Sequence, residues 1–283
     1  MTVTTTLLID AGNSSLKWAL LNNDRLEKGK PVVYKEGKVL EQQLTKAWHL
    51  IQNKDLYPSK IILANVAGQR VLDAVSQWWD EILNKELAVK ESGGVTIEII
   101  VAQANAFGVE NSYKQPETLG ADRWAALVAT RFHVKGDACV IGCGTALTID
   151  ILMADGKHMG GVIAPGWEMM KSSLVNNTKG IISGEGEVPE LLGQSTQQAV
   201  QAGISAASIG AVKHILQRFE NDKDIVFTCI VSGGGAPLLL PQLLSLQYAG
   251  TFRHEPDWVL KGLAVLSGQP LTDTLVNDPR VLS

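Results

Sequence analysis

Cysteine is scarce in this chain, with Cys139, Cys143 and Cys229 the only three in 283 residues. That excludes a disulfide-stapled secreted scaffold and suits a reducing cytoplasm. Cys139 and Cys143 have no second cysteine or histidine pair at zinc spacing, so no zinc site is read. Basic charge is not in excess. Lys and Arg number 25 against 29 Asp and Glu, a net charge of −4, so a broadly basic nucleic-acid surface is not expected. Charged residues make up only 19% and apolar residues 45%, which fits neither a disordered chain nor a coiled coil. No run of about 18 apolar residues occurs, so no membrane span is expected. Met1–Thr6 carries no basic segment ahead of an apolar stretch, so no signal peptide is expected there. Histidines are few and scattered (His49, His133, His158, His214, His254), with no pair at ligand spacing; each reads as structural or solvated.

Glycine is plentiful, 27 residues, and its positions carry the most information. At about 150 residues per domain the length suggests two domains, or one large one. Short apolar runs alternate with helical patterns. Thr5–Asp10, Leu16–Leu21, Lys60–Val66 and Val95–Ala102 read as strands; Val39–Asn53, Arg70–Leu87 and Arg123–His133 read as helices. Ala138–Gly142, Thr145–Met153, Lys157–Ile163 and Asp224–Val231 read as further strands, with Asp155-Gly156 a hairpin turn and Thr196–Phe219 and Pro256–Leu266 as helices. This alternation predicts an α/β fold. Leu7–Leu20 and Val140–Leu152 share one plan, strand, glycine turn, strand, which predicts an internal duplication with a boundary near residue 120. The seven tryptophans fall mostly at helical spacing and read as core.

Three constellations carry chemistry. In Asp10-Ala11-Gly12-Asn13-Ser14-Ser15-Leu16-Lys17 a strand delivers a carboxylate to a tight turn. Gly12 lets backbone approach a ligand closely, and turn N–H groups with Asn13 and Ser14 can hold phosphate oxygens. Lys17 adds positive charge, and Asp10 can hold Mg²⁺ through water. A plain hairpin is the alternative. Gly142-Cys143-Gly144-Thr145-Ala146, with Asp150 five residues past Thr145, repeats the plan, and Thr145 can donate to a phosphate oxygen. Two such turns facing each other would grip a nucleotide triphosphate. In Tyr113 through Arg123, Asp122 stands at the start of a helix, where it is either a cap or a general base beside the Arg123 guanidinium. Gly160-Gly161, Pro165-Gly166 and Ser232-Gly233-Gly234-Gly235 are strand-end turns able to lie flat against adenine or ribose. Cys143 has no Cys-His arrangement around it and reads as a small residue, not a nucleophile.

In order along the chain, these motifs resemble those of the type III pantothenate kinases, within the acetate kinase, sugar kinase, Hsp70 and actin superfamily. Asp10–Lys17 resembles the family's first phosphate motif, Tyr113–Arg123 its Y-x(n)-G-x-D-R substrate motif, and Gly144-Thr145-Ala146 with Asp150 its second phosphate motif. Gly160-Gly161 with Pro165-Gly166, Gly193-Gln194-Ser195-Thr196 and Ser232-Gly233-Gly234 resemble its G-G-x-I-x-P-G, G-x-x-T and late glycine segments.

The resemblance implies two ribonuclease H-like (actin-like ATPase) domains with mixed sheets flanked by helices. Residues 1–120 would carry the first phosphate motif, and 121–283 the second with the adenosine region. It implies a cytoplasmic homodimer that phosphorylates pantothenate to 4'-phosphopantothenate with ATP, Mg²⁺ and a monovalent cation, potassium or ammonium, as the first step towards coenzyme A. Asp10, Ala11, Gly12, Asn13, Ser14, Ser15, Leu16, Lys17 and Thr145 would bind ATP. Tyr113, Gly120, Ala121, Asp122, Arg123 and Thr196 would bind pantothenate, with Asp122 the proton acceptor. One position departs: the family's D-x-G-T aspartate, its monovalent-cation ligand, is Gly142 here. Three other readings remain open: a kinase for another small alcohol, an ATPase of this fold, and a nucleotide-binding regulatory homologue without turnover.

Overall fold

The computed structural model describes residues 5–22, 25–34, 39–53, 58–85, 96–181, 191–223, 225–269 and 271. Val95, Asp224 and the last two residues of the Arg70–Leu87 helix read from sequence lie outside them. The chain runs β1 (Thr5–Ala11), β2 (Ser15–Asn22), β3 (Arg25–Lys28), β4 (Val32–Val33), α1 (Leu40–Asn53), β5 (Lys60–Asn65), α2 (Gln69–Lys85), β6 (Thr96–Ile99), β7 (Asn105–Ala106), β8 (Val109–Glu110) and α3 (Ala121–His133). It continues with β9 (Ala138–Cys143), β10 (Ala146–Leu152), β11 (His158–Pro165), α4 (Trp167–Asn177), α5 (Thr196–Lys223), β12 (Thr228–Ser232), α6 (Ala236–Leu244), β13 (Thr251–His254) and α7 (Trp258–Leu266). Two compact units result, and the packing divides them elsewhere than at residue 120. The first takes the chain up to Gly108, Tyr113–His133 and the segment from Trp258; the second takes Val109–Ser112 and Val134–Asp257.

The duplication read from sequence is present in the topology. The first sheet is ordered β3-β2-β1-β5-β6 with β4 on β2; the second is ordered β11-β10-β9-β12-β13. In each, the first strand pairs antiparallel with the second and parallel with a later one.

In the first unit, β1 alternates with period two. Leu7, Ile9 and Ala11 join a core with Leu44 and Trp48 of α1 and Val75, Trp78 and Trp79 of α2. Thr6, Leu8 and Asp10 point to the opposite face, where α3 and α7 pack on β1 and β5. That alternation is what aims Asp10 at the start of α3. The two helices cross closely: Trp258 Nε1 donates to Thr130 Oγ1 at 2.9 Å, and a Cβ on Gly262 would overlap the Ala125 carbonyl. Gly262→Ala is therefore expected to cost about 1–3 kcal/mol of stability, because backbone has to move. Urea unfolding checks this, and an unchanged midpoint would contradict it.

In the second unit, Cys139, Ile141, Ile149 and Ile151 pack with Phe227, Leu239 and Phe252. Within Thr196–Asn221 of α5 an 18-residue stretch reaches a mean hydropathy of 1.2, enough by length and composition for a membrane span. Its buried residues fall at helical spacing, however (Gln201, Ile204, Ser205, Ser208, Val212, Leu216), and Ile204, Val212 and Leu216 belong to this core. All seven tryptophans are buried, as their spacing suggests.

Several elements escaped the pattern reading. α6 carries Pro at its start and Pro241 inside it, residues that signal breaks rather than helix. α4 buries only Trp167, so it shows no apolar stripe. β3, β4 and β13 are four residues or fewer, too short for periodicity.

Candidate active site

The first constellation is assembled by β1, its turn and β2. Asp10 sits directly across the antiparallel ladder from Lys17, with Ala64 of β5 on its other side. The turn closes with the Gly12 N–H donating to the Ser15 carbonyl at 3.1 Å, leaving Asn13 and Ser14 exposed at the tip. Ala11 and Leu16 are fully buried in the core, so only their backbone is available to a ligand.

Asp122 belongs to the same unit. It is the second residue of α3, and its Oδ1 accepts the Arg123 N–H at 2.8 Å. The sequence places Asp122 just ahead of the helix as its cap, but the helix begins one residue earlier, at Ala121, so Asp122 stands inside the first turn, where a carboxylate suits the helix dipole. The carboxylate also lies against Gly120, where a Cβ would stand 2.7 Å from Asp122 Oδ1. Its charge reaches Asp10. Burial first, then the Asp122 charge, push the Asp10 carboxyl up from its ordinary 3.8 to about 7, with Lys17 opposing.

The consequence for stability has a definite sign. The fold holds the Asp10 proton more tightly than the unfolded chain does, so this contribution is complete below about pH 4. It is lost as pH rises towards 7. Relative to the parent, Asp10→Asn is expected to gain in melting temperature between pH 5 and pH 8. A pH-independent difference would contradict the raised value.

Arg123 is buried, and its Nη1 donates to Tyr113 Oη at 2.8 Å, with the guanidinium 5.6 Å from the centre of the Tyr113 ring. Tyr113, Gly120, Ala121, Asp122 and Arg123 thus form one cluster in the first unit; Ala121 is itself buried.

Thr145 and Thr196 lie in the second unit. Thr145 occupies the turn between β9 and β10, and its carbonyl accepts the Gly166 N–H at 2.9 Å. The Gly235 N–H donates to the Cys143 carbonyl at 2.8 Å, and Gly233, at φ 97°, lies so close to that carbonyl that a Cβ would overlap it. Three motifs distant in sequence therefore meet at one glycine-rich turn. Thr196 is exposed in the first turn of α5, where Ser195 Oγ caps the helix by accepting the Gln198 N–H at 3.2 Å.

Asp150 is a buried partner of His158, Oδ1 to Nε2 at 2.9 Å, on the neighbouring strand. Nothing in its sequence context announced that pairing. Cys143 is no nucleophile: burial pushes its thiol up to about 12. Gly142 faces Thr148 across the β9–β10 ladder, and a Cβ at 142 would stand 2.5 Å from Thr148 Oγ1. The hydroxyl fills the space a side chain would need.

The sequence pattern of the type III pantothenate kinase family matches residues 6–218. A type III pantothenate kinase of Nitrosococcus oceani is 34% identical over 268 residues, covering 91% of this chain and 92% of that one. One from Thiobacillus denitrificans is 33% identical over 258 residues, covering 91% and 94%. Among solved structures, a Sinorhizobium meliloti chain assigned as a 2-dehydro-3-deoxygalactonokinase aligns at a TM-score of 0.54 and 16% identity, covering 93% of this chain and 98% of that one. That likeness bears on the fold, two ribonuclease H-like domains of the sugar kinase type.

Proposed function

The chain belongs to the type III pantothenate kinase family and phosphorylates pantothenate with ATP, and we propose how its residues carry that reaction. The carrying observation is the carboxylate pair at the mouth of the first phosphate turn, close enough for Asp122 to raise Asp10.

Phosphoryl transfer needs positioning and charge stabilisation rather than covalent chemistry by the protein. Asp122 accepts the proton of pantothenate's primary hydroxyl as the phosphoryl group arrives, since a carboxylate is too weak a base to remove it beforehand. Arg123, held by Tyr113, orients the substrate carboxylate. The Gly12–Ser14 turn and Lys17 hold phosphate oxygens. Thr145 and Thr196, in the second unit, take their family roles in nucleotide and pantothenate binding.

The residues fit Mg²⁺. Two mutually repelling carboxylates gain from a cation, and no group of three or more metal-ligating side chains exists among the described residues. One or two carboxylates plus substrate phosphates is the usual Mg²⁺ arrangement. When bound, the ion neutralises charge on the phosphates; Asp10 would hold it through water.

The residues do not fit the family's monovalent cation. Gly142 offers no carboxylate, and Thr148 Oγ1 fills its space. Pantothenate-dependent ADP release is expected to agree within about twofold in potassium, ammonium and choline chloride at equal ionic strength. A tenfold potassium activation would contradict this.

A cytoplasmic homodimer completes the reading. The three cysteines are free, buried thiols, which suits a reducing compartment. The edge strand β11 exposes Met159, Val162 and Ile163, an apolar edge suited to a second copy.

A further inference from the structure

Beside the first phosphate turn, within the first unit, lies a cavity of about 280 Å³, close to the lower end of small-molecule pockets at about 300 Å³. Its polar lining comes from Asn13, Tyr34, Gln43 and Arg70, and no carboxylate lines it among the described residues. Leu40, Ala67 and Val71 form an apolar wall. We propose that this cavity is an oxyanion subsite, taking phosphate or carboxylate oxygens on Arg70, Tyr34, Asn13 and Gln43.

Three observations converge on it. The Tyr34 hydroxyl is buried and has no hydrogen-bond partner among the described residues. A buried donor left unmade is costly, and a ligand oxygen removes that cost. The Tyr34 N–H donates to the Ser14 carbonyl at 3.2 Å, which ties this side chain to the phosphate turn. Arg70 is the second residue of the 17-residue α2. A cation there runs against the helix dipole, whereas an anion beside it satisfies both the guanidinium and the helix start. Arg70 is exposed, so α2 does not need it for packing. Burial and the Asp10 charge push the Tyr34 phenol up to about 12, so it remains a donor at neutral pH.

The oxyanion has two sources, the nucleotide's own phosphates at the adjoining turn or a separate small acid. The inference does not depend on which alcohol is phosphorylated. Calorimetric titration of the full chain with inorganic phosphate, and in parallel with acetate, at constant ionic strength, tests it directly. The parent is expected to bind at least one of them saturably. Arg70→Ala is expected to weaken that binding about tenfold or more. Tyr34→Phe should weaken it severalfold while its melting temperature holds or rises, which loss of structure would not produce. Repeating the titration with a non-hydrolysable ATP analogue separates the sources. Competition, with Arg70→Ala weakening the analogue as well, assigns the nucleotide's phosphates; simultaneous binding assigns a separate acid. Absence of saturable binding of either anion to the parent would overturn the proposal. So would parental affinity in Arg70→Ala.

Discussion

Asp122→Asn is expected to fold as the parent does and to lose about 10²–10⁴-fold in kcat, the range of a positioned general base. Asparagine is the informative change. Its side-chain oxygen still accepts the Arg123 N–H, which Oδ1 takes at 2.8 Å, so the start of α3 keeps its hydrogen bond. Alanine would remove that bond together with the base and mix the loss of a hydrogen bond, about 1 kcal/mol, into the result. ATP and pantothenate should still bind, because the phosphate turn and the Tyr113–Arg123 pair are untouched. Parental kcat in Asp122→Asn would remove Asp122 from the chemistry and leave it as a helix-start residue.

Gly120→Ala is expected to cost about a hundredfold in turnover although no catalytic group is removed. A Cβ at 120 would stand 2.7 Å from Asp122 Oδ1 and 3.7 Å from Val66 Cγ1, so the carboxylate has to swing away. A misplacement of about 1 Å at a reacting group costs on the order of 10². The effect should vanish when Asp122 is already gone: the double variant Gly120→Ala, Asp122→Asn should be no slower than Asp122→Asn alone. Additive losses would mean that Gly120 acts through something other than the Asp122 carboxylate. Parental turnover in the single variant would mean the carboxylate has room to spare.

Much of the fold was legible because its signals are local. The strand–glycine turn–strand plan appears twice in the sequence, and both sheets follow it. The alternation of β1 is enough to place Asp10 on one face. Spacing could not tell which helix covers that face. α3 returns to the N-terminal sheet across the expected boundary at 120, and only packing against α7 at Gly262 and Ala125 reveals it. The site was legible where one motif carries several of its groups, as in Tyr113–Arg123. It was hidden where partners come from separate strands. Asp150 reads as part of a phosphate motif, yet strand register hands it to His158. Thr148 reads as an ordinary strand residue until the ladder sets it opposite Gly142. Tyr34 and Arg70 gave no sequence signal: one follows a two-residue strand and the other opens an amphipathic helix, and only the fold brings them to one cavity.

The most direct test is the stoichiometry of the reaction itself. Purified chain with Mg-ATP should release ADP only when pantothenate is added, with one phosphorylated pantothenate formed per ADP by mass spectrometry. ADP release without any acceptor would make the protein an ATPase of this fold. ATP binding without turnover on pantothenate would make it a nucleotide-binding homologue that has lost the reaction. Either result would contradict the account.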